Sequence, residues 1–501
     1  AVVATINRFR PRSALGDVAK AHGITPAQVR EMTASLPHAF FSRREEEQSP
    51  QASPFDALRK AYPQPAAQAV FDQAQALLGL PRHLSMHPGG MVIAPQRMDT
   101  IMPLCASGGK GITITQMDLE SVEALGLIKI DLLGIRGLTV LGDVAEAVRA
   151  WRLTEFPGPL DVLERIPAQD AEVSDRVEHG QTIGCFQIES PGMRATLKDI
   201  RARTPEDIMA ALALYRPGPL GGGLRDAFVR RFKGEEVVSH LHPSLAPVLE
   251  RTYGVILYQE QVLRIAHQIA GLSLAEADLL RRAMSHFDPG KQMALLKEKF
   301  IRGAGEKSAM PPETGEQIWE MMAAFAGYGF PQAHAASYAQ VAWRSAWCKT
   351  HHPAEFFAAV LANWGGYYSQ RVYLNEARRM KLDVRPPDVN HSKSEFSVAY
   401  LDSGPVLFMG LDQVKDLSQR TISAIRRGRP YTSLADFLAR VDPRPKEAEN
   451  LAVCGALNRF GSEAQVLASL RGGRWKAGQM SLFGWQAEAP PEEWSLEQRA
   501  A

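Results

Sequence analysis

The 501-residue chain is expected to fold as an α+β protein that is mostly helical. Two observations lead there. The β-like runs "GGMVIAP", "GITITQMD" and "LGLIKID" are confined to residues 84–135, and helix-patterned stretches with start signals fill most of the remainder. At this length three or four domains are expected, each able to bury a core.

Taken in order, residues 14–80 read as polar helices broken by the loop "SRREEEQSPQASP". The β-like runs follow to residue 135, and then a long helical region begins. Ser273 with Glu276 forms a capping-box pattern that opens "SLAEADLLRRAM", and Thr314 with Gln317 predicts a similar start before "IWEMMAAFAGYG". "RPPDVNHS" (385–392) reads as a Pro-rich linker, leading to a small helical module over about residues 405–460. Beyond Gly472 the Gly, Pro and Trp content predicts loop or tail. There is no repeat of solenoid length.

Composition narrows the class. Hydrophobic content of 45% and charged content of 22% are those of an ordinary soluble globular protein. A net charge of +2 excludes neither nucleic acid nor an acidic partner, so the distribution of charge has to decide. From Arg194 to Lys233 there are nine Lys or Arg against four Asp or Glu, which predicts either a phosphate-facing surface or a solvated helical face. The four cysteines are far apart and form no C-x-x-C pair; they argue against a zinc site and a disulfide framework, and suit a reducing, cytoplasmic compartment. No apolar run reaches the roughly 20 residues that span a bilayer, and no signal peptide is seen, so no membrane partner is expected. The chain opens on Ala1 within apparent secondary structure and reads as a piece of a longer protein.

"EALGLIKIDLLGIRGL" (123–138) is an apolar run with one carboxylate at its centre. It predicts a buried strand ending at Gly134, with Asp131 inside it and Lys129 two residues earlier on the same face. A buried carboxylate needs a cation, a metal or hydrogen-bond donors. From the residues alone, Asp131 is either a metal ligand or the partner of Lys129 or an arginine.

Seven stretches occur in order: "HLSMHPGGMVIAP" (83–95), "QMDLESVEALGLIKIDLLG" (116–134), "CFQIESPGMRATL" (185–197), "ALYRPGPLGGG" (213–223), "GVILYQEQV" (254–262), "LLRRAM" (279–284) and "GYGFPQAHAASYAQVAWRSAWCKTHHPAEFFAA" (327–359). Together they resemble the alpha subunit of bacterial DNA polymerase III, a C-family DNA polymerase, from residue 1 to the last residues. The resemblance implies an incomplete nucleotidyltransferase-like palm (1–15 and 85–136), a thumb (16–84), fingers (137–395) and a helix-hairpin-helix duplex-binding module (396–470). It further implies a clamp-binding segment (471–486) and the start of a linker to an oligonucleotide-binding domain (487–501).

For the site, the resemblance implies that Asp131 in the pattern G-L-h-K-h-D (h, apolar) is the third catalytic carboxylate and a ligand in a two-Mg²⁺ centre, because Mg²⁺ takes hard oxygen donors. The family's other two carboxylates form a D-x-D pair. This chain contains none, and the resemblance places the pair upstream, so the chain alone is expected to be inactive. Lys129, Arg216 of "YRPGPL", Arg281 and Arg282 are expected to bind nucleotide, arginine suiting phosphate through its bidentate fork; a surface ion pair is the alternative for each arginine. The sequence after Arg282, "SHFDPGK", departs from the family's Gly-Lys-Lys. His334, Ser337 and Tyr338 lie in the first turn of a helix whose free N–H groups suit an anion, facing nucleotide or template; a packed core helix is the alternative. "HPGG" (87–90) calls for glycine on geometric grounds, and "SGGKG" (107–111) lacks P-loop spacing.

"VKDLS" (414–418) is the candidate DNA hairpin, with Asp416 where the family usually has glycine, so Lys415, Ser418 and Arg420 are expected to carry the backbone contact; "CGALNRFG" is a second hairpin. Gln479, Leu482 and Phe483 of "QMSLF" fit a peptide that docks on the sliding clamp (beta), a docked tail being the alternative. The partners so implied are DNA primer-template, dNTPs, the clamp and other polymerase III holoenzyme subunits. An error-prone translesion member of the family, or a catalytically inactive DNA- and clamp-binding paralogue, are the rival readings.

Overall fold

The structure, a computed structural model, describes residues 1–34, 36, 53–108, 111–152, 154–158, 160–215, 223–286, 291–325 and 330–471, without the side chains of 224, 282–286, 291–292 and 324. The chain divides into two compact units, Ala1–Gly134 and Ile135–Ala501. The expected α+β, mostly helical class is what is found.

The first unit is built on a five-stranded sheet in the order β3-β4-β1-β2-β5, with β1 at Val2–Arg8, β2 at Pro81–Ile93, β3 at Leu104–Ala106, β4 at Thr113–Thr115 and β5 at Ile128–Asp131. All pairs are antiparallel except β1 with β4. Val3, Val92, Met102 and Val122 form the core under the sheet. The helices Pro11–Ala21 and Pro65–Leu77 each begin on proline, whose fixed φ suits a first helical turn. Their apolar faces meet in a separate core around Leu15, Val18, Phe55 and Phe71.

β5 corrects the expectation of a buried strand. Among the described residues it pairs only with β2, at the edge of the sheet. Ile128 is 66% exposed, Leu132 64% and Leu133 56%. An uninterrupted apolar run normally marks a strand covered on both faces; here the face of Ile128 and Ile130 is open among the described residues.

In the second unit the helix Gln332–His351 is central, packing against Pro205–Leu214, Arg136–Trp151 and Ala171–Glu178. Its small residues Ala335, Ala339, Ala342 and Ala346 are buried and allow that close approach. The fully buried Lys349 gives all three ammonium protons to acceptors: the carbonyls of Gln181 and Ile183, and Glu376 at 2.7 Å. Burial alone would raise the Glu376 carboxyl, but Arg379 and Lys349 hold it at about 2. A second core joins Leu245–Phe325 and a third joins Val389–Leu467.

The helix Leu274–His286 begins as expected: Ser273 N–H donates to Glu276 at 2.9 Å and Glu276 N–H donates back to the Ser273 hydroxyl. The second start does not. That helix runs Pro312–Ala324, two residues before Thr314, because Pro312 at its first position pre-sets the turn. "RPPDVNHS" is no free linker either. Arg385 closes β6 (Asp383–Arg385), which pairs with β8 (Gly404–Phe408) beside β7 (Ser397–Leu401), while Val389 and Ser392 are fully buried.

Candidate active site and nucleic-acid interface

Asp131 ends β5, opposite Gly90 of β2. Its side chain is 46% exposed, and Lys129 Nζ donates to Oδ2 at 2.8 Å. Strand alternation places the two on one face, so the carboxylate found its cation two residues away rather than in a buried pocket. His87 Nδ1 lies 3.7 Å from Asp131 Oδ1 and accepts the N–H groups of Gly89 and Gly90. "HPGG" is thereby an irregular stretch within β2, at a shift of its register against β1. A Cβ on Gly89 would meet the Leu132 carbonyl oxygen at 2.7 Å, and one on Gly90 would meet Lys129 Cε at 2.7 Å. Glycine is required by close approach, and it presses β2 against the segment that carries Asp131.

A Mg²⁺ pair needs several hard oxygen donors. Among the described residues no group of three or more His, Cys, Asp or Glu could hold a metal ion. Among the described residues, Asp131 therefore fits one ligand of such a centre and not the whole of it.

In the second unit His334 and Ser337 are exposed and Tyr338 is half-buried at the start of the helix Gln332–His351. Glu260 meets the helix terminus: both its carboxylate oxygens accept the Gln332 N–H, at 3.0 and 2.9 Å. The anion suited to this terminus is thus supplied from within the chain. The Ser337 hydroxyl donates to the Ala333 carbonyl. Phe186, Tyr338, His334 and Phe330 form a continuous run of ring contacts, with centroids 5.2, 4.0 and 5.3 Å apart. Phe186 is not legible as a site residue from sequence, since one aromatic in an apolar motif reads as core. Its ring lies 2.4 Å from where a Cβ on Gly137 would sit, and its N–H donates to Ser345. Glu189 of the same "CFQIES" stretch accepts from the Gly184 N–H, the Tyr367 N–H and the Tyr373 hydroxyl, which fixes the loop carrying Phe186.

Arg281 is paired with Asp278 at 2.8 Å and also meets Gln259. The side chain of Arg282, and Arg216 altogether, lie outside the described residues, as do Gln479, Leu482 and Phe483. Four of the nine basic residues from Arg194 to Lys233 are matched by carboxylates of the chain: Arg203 pairs with Glu178, Arg225 with Asp199 and Asp226, and Arg230 and Arg231 with Glu236.

In the third core "VKDLS" makes the tight turn before the helix Gln419–Arg427, and Asp416 takes φ 58°, a left-handed conformation that Asp tolerates better than most residues. Gly455 in the second hairpin has φ 80°. Ser418 faces inward: its hydroxyl caps the Thr421 N–H and its own N–H donates to the buried Glu447 at 2.9 Å. Thr421 and the Arg444 N–H also donate to Glu447. Burial works against ionisation there, yet these bonds hold the Glu447 carboxyl at about 2. Arg420 donates to the Asp442 carbonyl at 2.7 Å. Lys415 is exposed, with no partner for its ammonium among the described residues.

Comparison with known proteins gives these features a common frame. Residues 1–134 match the family described as bacterial DNA polymerase III alpha NTPase domain, 137–308 the bacterial DNA polymerase III alpha subunit finger domain, and 381–467 the helix-hairpin-helix motif. In class, then, this is a polymerase-subunit chain followed by a helix-hairpin-helix module. The DNA polymerase III subunit alpha of Thermus aquaticus is 37% identical over 513 residues, covering 98% of this chain and 41% of its own length. That of Caulobacter vibrioides is 40% identical over 80% of this chain and 35% of its own length, and the error-prone DNA polymerase of Nocardia farcinica is 34% identical over 95% and 40%. The chain belongs to the bacterial DNA polymerase III alpha-subunit family, and it spans about two fifths of the length of the relatives it matches.

Proposed function

We propose that the intact protein is a DNA-templated DNA polymerase of the replicative kind, adding dNMP units from dNTPs to a primer 3′ end. The observation that carries this is the ordered match of three domains together with 37% identity to a polymerase III alpha subunit over 98% of the chain. Higher identity to the alpha subunits than to the error-prone polymerase, 37% and 40% against 34%, supports the replicative reading.

In this reading residues 1–15 and 85–136 belong to the palm, 16–84 to the thumb and 137–395 to the fingers. Asp131 supplies one carboxylate of a two-Mg²⁺ centre whose other ligands the family carries on a D-x-D pair. Lys129 holds that carboxylate in place on the exposed face of β5. Arg216, Arg281 and Arg282 face the triphosphate, and His334, Ser337 and Tyr338 face the nucleotide, with Phe186 buttressing Tyr338. The hairpin at 414–418 and Arg420 grip duplex backbone, and residues 479–483 dock on the sliding clamp. Other holoenzyme subunits are further partners. Among the described residues no helix is long and apolar enough to cross a membrane.

The test is primer extension by the full-length protein and by residues 1–501 side by side, with Mg²⁺ and dNTPs. The full-length protein is expected to extend and the shorter chain, with one carboxylate of the set, to be silent. A full-length protein that binds primer-template but does not extend it would overturn the enzymatic reading.

A further inference from the structure

The helix Gln419–Arg427 presents Ser423, Arg426 and Arg427 on one face, at spacings of three and four residues. Beside its last turn lies an open concavity of about 580 Å³, lined by Lys393, Ser423, Arg426, Arg427 and Arg429. Four cations and a hydroxyl converge there, and no carboxylate lines it. None of the four cations forms an ion pair among the described residues, whereas Arg385, Arg420 and Arg440 of the same module pair with Asp383, Asp442 and Asp436. Arg429 is fixed, its guanidinium donating to the carbonyls of Val389 and Ser392. Arg426 donates to the Ser394 hydroxyl at 3.2 Å, while Lys393 and Arg427 are exposed.

Two basic residues in a last turn are accounted for by the negative end of the helix dipole. That explanation does not reach Lys393 or Arg429, which come from outside the helix and turn toward the same space. Arg429 has the charge of Asp388 near it, but Lys393, Arg426 and Arg427 have no carboxylate paired with them among the described residues; such like charges repel, and an anion bound between them would neutralise them. Planar guanidinium forks with a neighbouring hydroxyl are the donor set that phosphate oxygens take.

We propose that Lys393, Ser423, Arg426 and Arg427, with Arg429 as the fixed rear wall, form a second backbone-phosphate site for duplex DNA, separate from the hairpin. The hairpin stands at the start of the helix and this site at its end, so the nine-residue helix would lie along the duplex with a contact at each end, roughly 13 Å apart at 1.5 Å per residue. The inference rests on the reading that this module binds duplex DNA. It also shifts the weight of that contact, since Ser418 is engaged internally and Arg420 is paired.

The experiment is a titration of the whole chain with a fluorescent DNA duplex over a range of NaCl concentrations. Wild type is compared with Arg426→Gln/Arg427→Gln, Ser423→Glu, and Lys415→Gln at the hairpin, each checked for an unchanged circular dichroism spectrum and melting temperature. Each lost phosphate contact lowers the slope of log K against log [salt] by about 0.9, so the double variant should lose up to about 2 in slope, equally for unrelated sequences. Ser423→Glu removes no existing interaction and should weaken binding by adding a like charge to phosphate. If Lys415→Gln weakens binding while the double variant and Ser423→Glu keep wild-type affinity and slope, the second site is overturned and the hairpin reading stands. If wild type does not bind duplex at 50 mM salt, the DNA reading of the module fails and the site with it. Inorganic phosphate binding that depends on Arg426 and Arg427, with duplex affinity unaffected by them, would overturn the assignment to nucleic acid.

Discussion

Glu447→Gln tests the construction of the hairpin proposed to bind DNA. The carboxylate receives the Ser418 N–H at 2.9 Å, the Thr421 hydroxyl at 2.8 Å and the Arg444 N–H at 2.8 Å, and it is 2% exposed. Glutamine keeps the shape, but its NH₂ replaces one acceptor and confronts a donor. The folded carboxyl lies at about 2 against an ordinary 4.5. At 1.36 kcal/mol per unit that difference corresponds to about 3 kcal/mol, within the range for the loss of hydrogen bonds to a buried charge. A carboxylate with a lowered folded value contributes its stability above about pH 4.5 and loses it progressively as the pH falls toward 2. Hydrogen exchange read by mass spectrometry over residues 411–453 is the assay, because the chain has several cores and one melting curve would not isolate this one. At pH 7 the variant should lose about two orders of magnitude in protection across the helix Gln419–Arg427. In wild type, protection should fall between pH 4.5 and 2.5, and in the variant it should stay flat over that range. Equal protection in the two proteins at pH 7 would refute the role given to Glu447.

Two further outcomes are expected. Gly89→Ala drives a Cβ to 2.7 Å from the Leu132 carbonyl oxygen, which must separate β2 from the end of β5; a loss of about 1–3 kcal/mol is expected from overpacking, read as lower hydrogen-exchange protection of residues 84–93, and unchanged protection would show that the sheet yields freely. At the other end of the chain, Leu482→Ala/Phe483→Ala removes two apolar anchors worth roughly 1.5–3 kcal/mol each, most of the ~8 kcal/mol of a micromolar complex; a titration with the cognate clamp that cannot tell the double variant from wild type would make the Q-x-x-L-F match a coincidence.

The sequence carried some of this molecule plainly and some not at all. Ser273 and Glu276 announce a helix start because the capping box is local chemistry, complete within four residues. Thr314 and Gln317 show the same pattern three residues apart, and Pro312 overrides it. Asp131 was legible as a singular carboxylate on a strand, but its exposure was not, because an apolar run does not say whether its neighbours are other strands or none. Gln332, the partner of Glu260, sits 72 residues away in sequence, and Ser418 and Thr421 sit 29 and 26 residues from Glu447; only the fold brings them together. The basic concavity is likewise assembled from a loop, a helix face and a helix exit, none basic enough alone to stand out.

The central proposal is that Asp131 is a catalytic carboxylate of a DNA polymerase, and Asp131→Asn in the full-length protein tests it most directly. The substitution removes the charge and keeps the shape. It also gives up an exposed ion pair with Lys129, worth at most about 1 kcal/mol, so folding should be nearly unaffected. Primer extension and primer-template binding are measured on the same preparation. Loss of extension with the melting temperature and DNA affinity retained is the predicted result; extension near the wild-type rate would contradict the assignment.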